Sequence, residues 1–149
     1  MRIEDEVKTT SFHSIQQKLS SNIIFTHGWA YDQMQEVFGA YGLTSQQYNV
    51  LRILRGQYPE AITTANIHNR MLEKNAGVSR LVDRLLKKDF VEKTVCEKDK
   101  RLVDVIISDK GLKVLEEIDS EWHRIDAIYS NLSDEEIHTL NGLLDKLRG

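Results

Sequence analysis

Two arginines four residues apart, Arg80 and Arg84, stand with Asn75, Ser79 and Lys87 in the segment NAGVSRLVDRLLKK, whose apolar members Val78, Leu81, Val82, Leu85 and Leu86 recur at helical spacing. A guanidinium can make paired hydrogen bonds to a guanine edge, and serine and asparagine are adaptable base readers or phosphate ligands. A helix over residues 75–88 would seat the apolar stripe on a domain and turn Asn75, Ser79, Arg80, Arg84 and Lys87 outward. That is the chemistry of a helix that reads the major groove of DNA. A solvated basic face is the ordinary alternative, and this segment alone does not choose between the two.

The residues behind it favour the first reading. Segments 90–96 and 102–107 are rich in β-branched residues, and Val103, Val105 and Ile107 fall on one face, as in a two-stranded hairpin packed on helices. The connecting Glu97, Lys98, Asp99 and Lys100 are wholly polar and predict a solvent-facing turn. Arg101, with Lys100 beside it, has the chemistry to enter a narrow A·T-rich minor groove, and Asp99 can orient its guanidinium through a charge-assisted bond. By themselves Asp99 and Arg101 would be a surface ion pair; after a helix-turn-helix and before an apolar strand they read as a DNA-binding wing.

The elements that must hold these residues are punctuated clearly. Thr44-Ser45-Gln46-Gln47 is a capping box opening a helix that buries Tyr48, Leu51 and Leu54 and stops before Pro59. Ile62-Thr63-Thr64 then introduces a short helix bearing Ile67, Met71 and Leu72, which completes a helix-turn-helix with the 75–88 helix. Upstream, Ile15, Leu19, Ile23, Thr26, Ala30, Met34, Val37 and Tyr41 predict a long helix from Ser11 to Tyr41, ended by Gly42. Downstream, Leu112, Leu115, Ile118, Trp122, Ile125 and Tyr129 keep the helical period, and Ser133-Asp134-Glu135-Glu136 is a second capping box before Ile137, Leu140, Leu144 and Leu147.

The chain is therefore expected to be mainly α with a small β-hairpin wing. It divides into an N-terminal dimerisation helix (11–42), a winged helix-turn-helix (44–108) and C-terminal dimerisation helices (109–149). Because the middle region already has its own core, the flanking apolar stripes need another surface, and a second copy related by two-fold symmetry is the economical supplier.

Composition narrows the classes. With 40% hydrophobic and 29% charged residues the chain can form a core, and no apolar run nears the ~20 residues of a membrane span. The N-terminal MRIEDEVKTTSFHS lacks an apolar signal core, so a cytoplasmic protein is expected. The net charge of −3 conceals a segregation: Lys74 to Lys88 holds five bases and one acid, Asp83, whereas Asp109 to Gly149 holds ten acids and five bases. Phosphate attraction follows the local field, not the total. Cys96 is the only cysteine and the histidines lack metal-ligand spacing, so neither an intrachain disulfide nor a metal site is expected. With no phosphate loop or nucleophile elbow, no catalytic residue or cofactor is expected either.

The stretches VSRLVDRLLKKDFVEK, DKR and VDVIISDKGLKVLEEI, in this order, resemble the multiple-antibiotic-resistance-regulator (MarR) family of winged-helix repressors. The resemblance implies a homodimer that binds a palindromic operator and releases it when a small molecule or oxidant acts. It also implies recognition-helix contacts at Ser79, Arg80 and Arg84, a wing arginine at Arg101 and its support at Asp99. Asp89 stands where the family usually has glycine, and Ser108 where it has threonine. Phe25, Trp29, Tyr31, Phe38 and Tyr48 are candidates for a pocket that takes a small aromatic or phenolic effector, although core packing is the ordinary role of such residues. The competing reading is a helical ligand-binding or protein-interaction dimer that has lost DNA binding; Arg80, Arg84, Asp99 and Arg101 speak against it.

Overall fold

The computed structural model describes residues 1–95 and 103–149. A short helix not foreseen in the sequence, α1 (Ile3–Glu6), lies against the first long helix through a 2.5 Å Lys18–Glu4 pair. That long helix, α2 (Ile15–Gly39), starts four residues later than the apolar period suggests. The reason is local: the Ser14 hydroxyl accepts from the Gln17 amide at 3.1 Å, and the Gln17 side chain returns to the His13 amide. At its far end Gly42 adopts φ 69, and the Gly42 and Leu43 amides donate to the carbonyls of Gly39 and Phe38. This left-handed turn buries Phe38 and Leu43 together at the helix end.

Helix α3 (Ser45–Arg55) opens on the expected capping box and buries Tyr48, Leu51 and Leu54 along with Val50 and Ile53. Ile62 and Thr63 form a strand, β1, before the Thr63 hydroxyl caps α4 (Thr64–Arg70). The expected two-stranded hairpin is thus a three-stranded antiparallel sheet: β3 (Val103–Ile107) lies between β1 and β2 (Val91–Val95). A strand of two residues has no alternation for a sequence pattern to reveal. Helix α3 occupies the centre, packing on α2, α4, α6 (Asp109–Ser120), the following helix α5 (Val78–Leu86) and β3.

The periodic run beyond Ser108 is divided. After α6 come α7 (His123–Asp126) and a 3-10 turn (Ala127–Tyr129). At the division, hydrogen bonds from the Arg124 guanidinium and then the Tyr41 hydroxyl hold the Glu121 carboxyl below its ordinary pKa, tying the break to the end of α2. Helix α8 (Asp134–Arg148) opens on the second capping box and buries no residue. Its Leu140, Leu143 and Leu147 face solvent in the single chain, as do Ile15, Leu19 and Ile24 of α2. No helix among the described residues is long and apolar enough to cross a membrane.

Candidate nucleic-acid interface

The helix expected over 75–88 is shorter. Helix α5 begins at Val78, with Gly77 as its N-cap, so Asn75 sits in the turn before it and Lys87 in the turn after it. Val78, Leu81, Val82 and Leu85 are at most 5% exposed and seat the helix on α3 and α4. Leu86 does not join them and is 39% exposed; at 3.6 residues per turn it lies about 90° from the centre of the other four. Leu72 of the preceding turn, expected beside Ile67 and Met71 in the core, is also exposed. Away from the stripe Ser79, Arg80, Asp83 and Arg84 are all exposed, and Asn75 and Lys87 are exposed at the two ends. Arg80 and Arg84 are one helical turn apart on the same side.

The C-terminal end of α5 is fastened. After it, Asp89 takes φ 61, and the Asp89 and Phe90 amides donate to the carbonyls of Leu86 and Leu85. Aspartate here adopts the left-handed geometry that glycine more often supplies. Ser108 then joins this turn to α6: its hydroxyl donates to the Asp89 carbonyl at 2.6 Å and accepts from the Gly111 amide at 3.0 Å. The Lys110 ammonium adds a 2.7 Å bond to the Lys88 carbonyl. Lys88 is itself committed to structure, donating to the Gly42 carbonyl at 2.5 Å.

On the other side, Lys93 of β2 reaches Asp83 of α5 at 2.5 Å. That hydrogen bond and charge hold the Asp83 carboxyl below the usual carboxylate range. The only acid between Lys74 and Lys88 is therefore held ionised and paired with a base from outside that segment. Val105 and Ile107 are buried as the strand pattern predicts, but Val103 is 38% exposed, so the apolar face of β3 is covered only toward α6. Cys96, Asp99, Lys100 and Arg101 lie outside the described residues.

The aromatic residues expected in one pocket divide between two cavities. Phe25 and Trp29 line a space of about 230 Å³ beside Met1 and Ile3. Phe38, Tyr48 and Tyr31 line a larger, partly open one of about 520 Å³, bordered by α2, α3, the turn after α4 and the start of α7. Along α2, Phe25 and Trp29 face α1, which the sequence reading did not include. In the larger cavity Phe38 and Tyr48 stack at 4.1 Å between ring centroids, and Trp122 stands 6.3 Å from Tyr48. Burial raises the pKa of the Tyr48 hydroxyl. Besides the tyrosine hydroxyls the polar groups are His27, Asn49, Arg52, Glu73, and the Ser45 hydroxyl, which is buried without a hydrogen-bond partner.

Sequence reading passed over Lys93, Arg52 and Ser45. Lys93 carried a signal, a cation in alternation with Val91 and Val95. Ser45 and Arg52 share one face of α3 at a spacing of seven residues, but only the crossing of α2 over that face turns it toward a cavity.

A profile of the MarR family matches residues 43–103. The HTH-type transcriptional regulator MgrA of Staphylococcus aureus is 30% identical over 112 residues, spanning 75% of this chain and 74% of MgrA. Among solved structures, a mutant MarR from E. coli complexed with operator DNA matches with a TM-score of 0.81 at 23% identity, over 93% of this chain and 99% of the other. BpsR of Bordetella bronchiseptica, from a structure concerned with regulation of its DNA binding by 6-hydroxynicotinic acid, matches with a TM-score of 0.77 at 20% identity, over 89% and 99%. The shared fold is the winged helix-turn-helix flanked by helices.

Proposed function

The chain belongs to the MarR family of DNA-binding transcriptional regulators, and from that premise we propose that it acts as a homodimeric repressor of a palindromic operator, relieved by a small aromatic or phenolic effector. The observation that carries the DNA-binding part is the outward row of Ser79, Arg80 and Arg84 on a helix whose opposite stripe is buried. Charge-assisted contacts from such a row supply affinity through phosphates and specificity through base edges. Asn75 and Lys87 flank the row, and Asp99, Lys100 and Arg101 supply the wing contacts in this reading. The operator complex of the related E. coli fold supports it.

Residues 44–108 serve as the DNA-binding region, and 11–42 with 109–149 as the dimerisation helices. The exposed leucines of α8 and isoleucines of α2 support this division, since a large apolar surface left to water is unfavourable. The effector site is the 520 Å³ cavity, where Phe38 and Tyr48 offer aromatic faces, Arg52 a positive charge and Ser45 an unused hydroxyl. No catalytic role is assigned, and the protein works in the cytoplasm.

Selection of bound sequences from random duplexes tests the reading. Enrichment of two inverted half-sites is the expected outcome. Failure to enrich any sequence would favour a ligand-binding or protein-interaction dimer that has lost DNA binding.

A further inference from the structure

We propose that the Asp83–Lys93 pair sets the angle between α5 and the β2–β3 hairpin, and is thereby a specificity-determining pair for DNA recognition; the proposal rests on the DNA-binding reading above. Lys93 lies opposite Val105 in the β2–β3 register, on the face where Val91, Val105 and Ile107 are buried. A lysine at that position must escape along the sheet. Its side chain is only 29% exposed, and its ammonium emerges at the edge of α5, on Asp83. Asp83 occupies the outward half of a helix otherwise populated there by Ser79, Arg80 and Arg84. An acid at that place repels phosphate, so its presence calls for a compensating role.

The pair joins two stiff bodies. The buried stripe fixes α5, and the antiparallel ladder to β3 fixes β2. Exposed ion pairs add little to stability. An angle between two elements that must meet one duplex together matters more, because a small misalignment denies one of them its contacts.

The test compares affinity for the selected duplex with affinity for a scrambled duplex of the same length and composition, in Asp83→Asn, Lys93→Gln, the double variant and Lys93→Arg. The ratio of the two affinities is independent of the folded fraction, so partial unfolding does not obscure it. The ratio is expected to fall about two- to fivefold in both single variants, no further in the double variant, and to be kept in Lys93→Arg. A role through charge alone gives a different pattern: binding to the scrambled duplex strengthens in Asp83→Asn and weakens in Lys93→Gln, while the ratio stays fixed in both. That pattern, or a fall in Lys93→Arg equal to that in Lys93→Gln, overturns the proposal. A wild-type protein with no sequence preference would instead remove the DNA-binding reading itself.

Discussion

A Cβ added at Gly111 would lie 2.3 Å from the carbonyl oxygen of Phe90 and 2.7 Å from Ile107 Cγ1, so the first turn of α6 meets the turn after α5 with no room for a side chain. Gly111→Ala gains helix propensity of ~1 kcal/mol. The clash falls on backbone, which cannot swing aside. A net loss of ~1–3 kcal/mol is expected, read as a lower urea midpoint with an unchanged slope. An unchanged or raised midpoint would show that α6 can slide away from Phe90.

Leu140, Leu143 and Leu147 of α8 stand unburied in the single chain. The purified chain should sediment as a dimer at micromolar concentration, and Leu140→Lys combined with Leu147→Lys should shift it toward monomer, since each places a charge in the proposed apolar interface. A wild-type monomer would remove the dimer from the mechanism.

Arg80→Ala and Arg84→Ala are expected to weaken operator binding. Where the lost contact is to a base, the cost should be ~1–3 kcal/mol and preference should relax at one position of each half-site. Where it is to phosphate, all sequences should weaken alike and the dependence on salt should flatten. Titrations at several salt concentrations separate the two, and undiminished binding by the double variant would dismiss α5 as the recognition helix.

For the wing, Arg101→Ala should reduce affinity and abolish preference for A·T-rich flanks, with Asp99→Ala doing so in part. The double variant should be no worse than Arg101→Ala, because an orienting bond has no value without its guanidinium. Strictly additive losses on A·T-rich and G·C-rich operators would reduce the two residues to a surface pair.

Trp29 and Trp122 are the only two tryptophans, and they line different cavities. In a Trp29→Phe variant the emission therefore reports on the larger cavity alone. Titration with a phenolic acid should shift it, and Tyr48→Leu should weaken the response by removing the ring that stacks on Phe38. An emission unmoved at millimolar ligand would argue for a different effector class.

Local chemistry was legible in the chain. The capping boxes at Thr44 and Ser133, the turn at Gly42 and the buried stripe of α5 each depend on residues within a few positions of one another, so spacing and side-chain type were sufficient. The outward placement of Ser79, Arg80 and Arg84 followed from the same helical period. What tertiary structure decided involves residues far apart in the chain. Ile62 became a strand because β3 offered it a free edge, and the smaller space that Phe25 and Trp29 line exists because α1 folds beside them. Gly111 lost the room for a side chain only when Phe90 came against it, and Asp83 ceased to be a stray acid only when the β2 register brought Lys93 to its carboxylate. Such contacts have no periodic signature, because their energy depends on how whole elements pack, and a sequence pattern records only what one element does by itself.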